Sequence, residues 1–483
     1  MRVRVPHLPQ RTAVAQVSRR RIALCGFACA LWLGLAASAR AAALPLQVAA
    51  ELKAASIPPT AVAVVTQAVD GRWPQRAVNA RQAMNPASVM KLVTTFAALD
   101  RLGPAFTWQT EAYLGGELNA GILHGDLILR GGGDPKLTWE QFARLLQQLR
   151  ARGLREIRGD LVLDRGAFAV PPNDPGAFDA EPLRPYNVAP DALLLNFNAL
   201  SLTLLPEPPV AGLDLVNRIE LDPGAECGDW REGPRADVFA HPAAIRLVLS
   251  GRYPARCEEQ RWHIALADHT GFVAGVFRAL WTQLGGALQG AVRDGPTPPA
   301  AHLFAVLPAP TLGEAVHDIN KYSNNVMARQ LFLTLGLAAG HRPAGTADGV
   351  AAIGQWLQSR GLDFPELVLE NGAGLSRRER ISAASLARLL QAAWRSAVMP
   401  ELMASLPVVA VDGTMKKRLH ENGVAGQAHI KTGSLDGVKS LAGFVLDRNG
   451  RRWIVVFLVN HPRAARAGPA MDALLKWVWQ HGG

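Results

Sequence analysis

Cysteine is scarce in this chain, with four in 483 residues. There is no paired Cys-x-x-Cys and no His-Glu-x-x-His, so the sequence offers no metal site. Beyond the first 41 residues it lacks any run long and apolar enough to cross a bilayer. It also lacks internal repeats and low-complexity tracts. With 49% hydrophobic and 19% charged residues, the composition is that of a globular protein. The length implies two to four domains. Acidic residues are missing from positions 1–41, which hold seven arginines, so the net charge of +11 falls to +4 without them. That balance excludes a nucleic-acid-binding domain and suits an envelope protein among anionic polymers.

The N-terminus reads as a signal peptide over 1–41. A basic stretch ends at Arg19-Arg20-Arg21, an apolar run covers 22–37, and Ala37-Ser38-Ala39 or Ala39-Arg40-Ala41 gives small residues for cleavage. The run is short for a membrane span of ~20 residues, so cleavage is expected rather than a stable transmembrane anchor. Ser18-Arg19-Arg20 resembles a twin-arginine signal, followed by a weak match. Cys25 and Cys29 would leave with the signal. Cys227 and Cys257 remain, and an even pair in an oxidising compartment is most simply one disulfide.

In the mature chain, 60–69 reads as a strand. Pro86 opens a helix to about 102, where Gly103 stops it. From 104 to 300 short strands alternate with Gly/Pro/Asp turns, at 125–129, 159–163, 201–205 and 244–249. A helix interrupts at 137–152, with a capping-box pattern in Thr138 and Gln141. Gly131-Gly132-Gly133-Asp134-Pro135 lacks the Gly-Lys-Ser/Thr ending of a phosphate loop and reads as a turn. Helices are expected at 311–335, 349–360 and 383–394, strands at 428–432, 441–446 and 453–460 with an Asn449-Gly450 hairpin, and a last helix at 468–480. The ends are thus α/β and the middle is β-rich. The expected organisation is a catalytic domain in two parts, 42–103 and 301–483, split by one or two inserted β-rich domains over 104–300.

Three short motifs carry chemistry. In Ser88-Val89-Met90-Lys91 a lysine three residues on shares a helix face with a serine at the helix start. A serine hydroxyl needs such a base, and free N–H groups at the helix start favour developing negative charge. About two Ser-x-x-Lys matches arise by chance in a chain this long, so this motif alone reads as a surface lysine. Ser323-Asn324-Asn325 offers a second hydroxyl for proton relay and an amide for a substrate carbonyl. Its alternative register, Tyr322-Ser323-Asn324, names different residues. Lys431-Thr432-Gly433, followed by Ser434, puts a lysine and hydroxyls on a strand where they could hold a carboxylate, with a glycine where a peptide could approach. The order and structural contexts are those of penicillin-recognising serine enzymes.

The chain resembles the class C low-molecular-mass penicillin-binding proteins, the D-alanyl-D-alanine carboxypeptidase/endopeptidase family. The 235-residue separation from Ser88 to Ser323 matches that family's inserted domains. So do Gly125–Leu129 with Gly131–Pro135, Gly159-Asp160-Leu161, Tyr186-Asn187-Val188, Asn371–Arg377 and Val411-Asp412-Gly413-Thr414. Ala373 stands where the family commonly has serine. The resemblance implies a β-lactamase/transpeptidase-like catalytic domain of α/β (α+β) type, an antiparallel sheet flanked by helices, and no cofactor. It selects the Ser323/Asn325 register. It makes Ser88 the acylated nucleophile and Lys91 its base, with Ser323 and Asn325 completing the site and Lys431, Thr432 and Gly433 lining it. Backbone N–H groups of Ser88 and Ser434 would form the oxyanion hole. The expected substrates are peptidoglycan peptides with D-Ala-D-Ala ends or cross-links, β-lactams are expected inhibitors, and the expected compartment is the periplasm. Competing readings are a β-lactamase or esterase on the same scaffold, and a non-catalytic wall-binding penicillin sensor. Lys91 is expected neutral as a base; Lys431, on a strand edge facing substrate, is expected to stay charged as a carboxylate anchor.

Overall fold

The computed structural model describes residues 43–72, 75–172, 174–204, 215–241, 244–420 and 423–483. The expected signal peptide, with Cys25 and Cys29, lies outside the described residues. Among the described residues no helix is long and apolar enough to cross a membrane.

A five-stranded antiparallel sheet joins the two ends of the chain. Its order is Ala428–Leu435, Val438–Leu446, Arg452–Asn460, Val62–Ala68 and Arg76–Val78. The strand Arg452–Asn460 is buried on both faces, which is why it reads as a continuous apolar run instead of an alternating one. Its period of two sends Ile454, Val456 and Leu458 into one core and Val455, Phe457 and Val459 into the other. The first core is completed by helices Lys91–Leu102, Leu312–Lys321, Asn325–Ala338, Thr346–Ser359 and Ala383–Trp394. The second is completed by Leu46–Ala54 and Gly468–His481. An antiparallel sheet flanked by helices is the architecture expected for the catalytic part.

The intervening chain builds a second, seven-stranded sheet. Thr107–Asn119 lies between Ile122–Gly131 and the edge strand His302–Thr311. Helices Trp139–Ala151 and His269–Gln283 cover it around Leu127, Phe142, Leu145 and Phe277. The second of these helices was not expected. Its N-cap is Asp268, whose carboxylate accepts from Gly271 N–H at 2.8 Å. A smaller β module holds Leu215–Asp222, Pro234–His241 and Ala244–Pro254, beside the pair Ala199–Leu204 and Gln260–Ala265. There Cys227 and Cys257 are bonded as a disulfide.

Two helix readings need correction. Thr138 caps its helix without the expected side-chain hydrogen bond; the capping box forms at Thr311 and Glu314 instead. The single helix expected over 311–335 is two, Leu312–Lys321 and Asn325–Ala338. The interruption has two local causes. Ser323 takes a left-handed φ of 58°, and the Asn324 side chain accepts from Met327 N–H at 3.0 Å, starting a new helix. Lys321, buried at the end of the first helix, donates to Leu406 O at 2.7 Å and to Asp412 Oδ2 at 2.6 Å. Asp412 in turn accepts from Val408 N–H at 2.7 Å, so the Val411–Thr414 signature pins the broken segment in place.

Other signatures are framework. Arg293 donates to Asp126 at 2.8 Å and to Asp160 at 2.7 Å, which ties Gly125–Leu129 to Gly159–Leu161. Gly131–Pro135 is a turn, with Asp134 accepting from Lys136 N–H at 2.7 Å.

Candidate active site

Ser88 stands in a 3-10 turn, Ala87–Met90, just before helix Lys91–Leu102, and not inside the first α-helical turn. The turn is held from several sides. Asn85 Oδ1 accepts from Ala87 N–H at 2.9 Å, Asn85 exchanges two hydrogen bonds with the Asn460 side chain, and Ser440 Oγ donates to Pro86 O at 2.6 Å. Ala87 pays for this geometry with a φ of 46°. Strand Ala428–Leu435 lies against the turn. A Cβ on Gly433 would stand 2.7 Å from Pro86 O and 2.9 Å from Ser88 N, and would strike Ser440 Oγ. Glycine is therefore required at 433 first because the enzyme's own chain approaches there.

Lys91 is fully buried. Its Nζ lies 2.9 Å from Ser88 Oγ, 2.5 Å from Asn325 Oδ1 and 2.5 Å from Ala373 O. The last two atoms can only accept. A neutral amine has two hydrogens and one lone pair, so donating both hydrogens to them turns the lone pair toward the Ser88 hydroxyl. Burial pushes Lys91 well below its usual range, and the nearby Lys431 pushes it further, against a smaller opposing pull from Glu379.

Lys431 is also fully buried. It donates to Ser323 Oγ at 2.8 Å and to Thr432 O at 2.7 Å. Burial lowers it to about 7. Strand Ala428–Leu435 is the edge of its sheet, as expected, but its pleat turns Lys431 inward beside Ser323, and the expectation of a lysine that stays charged is corrected. Thr432 is half-buried and shares a 2.7 Å hydroxyl–hydroxyl hydrogen bond with Thr414, and Ser434 is exposed on the same strand. The two registers place their residues differently. Asn325 meets Lys91, Asn324 is occupied as a helix cap, and the Tyr322 side chain is exposed.

A cleft of about 630 Å³ opens on Ser88, Ser323 and Asn325. Its far wall comes from the middle of the chain, through Tyr186, Phe197 and His263. Tyr186 donates to Asp179 at 2.8 Å. Arg377 stacks over Phe178 and donates to Asp436 O at 3.0 Å, bracing the middle segment against the 428–446 hairpin. Sequence reasoning missed the Ala373 carbonyl, because a backbone atom leaves no side-chain signal. It also missed Glu379, hidden in the charged run Arg377-Arg378-Glu379-Arg380.

Fold and site together define a penicillin-recognising serine peptidase. Residues 44–480 match the D-Ala-D-Ala carboxypeptidase 3 (S13) family, and the chain belongs to that family. Among curated relatives, the D-alanyl-D-alanine carboxypeptidase DacB of Haemophilus influenzae is 28% identical over 386 residues, covering 78% of this chain and 80% of the relative. A D-alanyl-D-alanine carboxypeptidase of Actinomadura sp. is 28% identical over 407 residues, covering 80% of this chain and 74% of the relative. The crystal structure of penicillin binding protein 4 from H. influenzae shares the fold with a TM-score of 0.76 at 24% identity, over 90% of this chain and 100% of that one. The chain is a serine-type D-Ala-D-Ala carboxypeptidase of the class C low-molecular-mass penicillin-binding group.

Proposed function

We propose that this carboxypeptidase acts through a Ser88 acyl-enzyme on peptidoglycan peptides in the periplasm, releasing terminal D-Ala and cutting D-Ala cross-links, and that β-lactams trap it. The observation that carries the mechanism is the disposal of Lys91's two N–H groups on Asn325 Oδ1 and Ala373 O, which leaves its lone pair for Ser88.

Neutral Lys91 takes the Ser88 proton as Oγ attacks the scissile carbonyl. Backbone N–H groups of Ser88 and Ser434 receive the developing oxyanion, each worth ~3 kcal/mol in comparable hydrolases. The tetrahedral intermediate collapses by expelling an amine, which needs a proton. Ser323 is the donor to that nitrogen and regains its proton from the Lys431 ammonium that donates to it at 2.8 Å. Water then takes the amine's place and the same groups run in reverse. In a β-lactam the expelled amine stays tethered, so water cannot replace it easily and the acyl-enzyme persists.

A cleft wall drawn from the middle of the chain supports recognition of peptide beyond the scissile bond, and a solved endopeptidase of Bdellovibrio bacteriovorus has the same fold (TM-score 0.52, 16% identity). The H. influenzae protein has also been solved in complex with a β-lactam. For the domains, we take 42–103 and 301–483 as one catalytic unit and 104–300 as the insertion; support comes from the five-stranded sheet's use of both chain ends and the second sheet's use of the middle, whose edge strand His302–Thr311 runs past that boundary.

The test is to incubate the mature protein with a D-Ala-D-Ala peptide, a cross-linked muropeptide and a labelled penicillin. Release of D-Ala, cleavage of the cross-link and labelling of Ser88 are expected, all lost in Ser88→Ala. Peptide hydrolysis by a folded Ser88→Ala protein would overturn the reading, and rapid penicillin turnover without peptide release would replace it with a β-lactamase.

A further inference from the structure

Within electrostatic reach of Lys91, the Glu379 carboxylate is fully buried. Its Oε1 accepts three consecutive backbone N–H groups, from Glu370 at 3.0 Å, Asn371 at 2.9 Å and Gly372 at 3.0 Å. The next residue in that loop is Ala373, whose carbonyl takes a hydrogen from Lys91. The loop is pinned again where Thr94, one turn along the Lys91 helix, donates to Gly372 O at 2.7 Å. The Glu379 backbone is fixed as well, since its N–H donates to Ser376 Oγ at 3.0 Å. Oε2 is buried with no hydrogen-bond partner.

Three amides converging on one oxygen suit an anion. We infer that Glu379 is a positioning residue for the acylation step: its carboxylate shapes the loop whose Ala373 carbonyl aims Lys91, and it places a negative charge within reach of that amine. This rests on the reading of Lys91 as the base of Ser88.

The charges facing this pair come from several elements. Lys431 acts on Lys91 from the 428–435 strand. Arg329, on helix Asn325–Ala338, feels both Glu370 and Glu379. Glu370 in the loop is itself paired with Arg378 at 2.5 Å. Burial pushes the Glu379 carboxyl up, against the three N–H groups and Lys91, which favour ionisation. Glu379 in turn pulls Lys91 up, opposing burial and Lys431. Removing the Glu379 charge therefore makes Lys91 lose its proton at lower pH.

The experiment is the pH dependence of penicillin acylation for the wild type, Glu379→Gln and Glu379→Asp, with folding checked by thermal melting. In Glu379→Gln the ascending limb is expected to move to lower pH by about one unit, with a reduced plateau, because the charge is lost but an acceptor remains for the loop. In Glu379→Asp the plateau falls and the limb stays, because the charge is kept. A purely structural Glu379 would lower the plateau in both and move neither limb, and that result overturns the inference. So does a limb that moves equally in both. Should Glu379→Gln fail to fold, Glu379→Ala, which also removes the charge, takes its place: a limb shifted to lower pH supports the inference and an unmoved limb overturns it. A wild type with no ascending limb would instead defeat the Lys91 base assignment itself.

Discussion

Lys431 donates to Ser323 Oγ across 2.8 Å, joining a strand and a helix break that are 108 residues apart in the chain. This contact orients the second serine, and we propose that Lys431 also meets the substrate's carboxylate. Burial holds Lys431 at about 7, so its charge is present below that pH and is lost as pH rises through it. Affinity for a D-Ala-D-Ala peptide with a free carboxylate is expected to weaken above about pH 7, with KM rising about tenfold over the next pH units. KM for the matching peptide amide should stay flat. Measuring the two side by side checks this; parallel curves would confine Lys431 to the Ser323 contact.

Gly433 tests how closely the strand and the nucleophile's turn are fitted. In Gly433→Ala the new Cβ would press on Ser440 Oγ, Pro86 O and the Ser88 amide. A displacement near 1 Å at a reacting group costs roughly 10²-fold in rate, so acylation should fall by about that factor. Stopped-flow acylation beside a melting curve checks it. Wild-type acylation in this variant would show that strand and turn can separate without cost.

Asn324 and Asn325 separate capping from chemistry. Asn325→Ala strands one N–H of Lys91 and frees its lone pair from Ser88, so acylation should fall by about 10²-fold or more. Asn324→Ala removes a helix cap and should lower stability by ~1 kcal/mol with a much smaller effect on acylation. Denaturant melts and acylation rates on both variants check the contrast, and the reverse pattern would restore the Tyr322–Asn324 register.

Much of this site was legible because its parts are short and locally encoded. Ser88 and Lys91 lie three residues apart, where any helical turn brings them together. The apolar strand 453–460 announces a sheet covered on both faces. What the sequence concealed depends on contacts distant in the chain. Helix 311–335 looks continuous by periodicity, because a left-handed residue at Ser323 carries no glycine to mark it. Lys431 reads as exposed until Ser323 is packed onto it. Glu379 looks like part of a solvated charge run until the loop 370–372 folds around its carboxylate. Helix His269–Gln283 sits in a segment whose turns and short strands masked its 3.6-residue period.

The central claim is that Lys91, neutral in its buried pocket, takes the proton from Ser88. The most direct measurement is the acylation rate of Lys91→Arg with a labelled penicillin, in a protein shown to be folded. Arginine keeps a positive charge and cannot serve as a base. The account predicts a loss of two or more orders of magnitude, as expected for removing a general base, beside a wild-type profile whose ascending limb lies well below ~10.4, the pKa of an ordinary lysine. Acylation of Lys91→Arg at near the wild-type rate would contradict it.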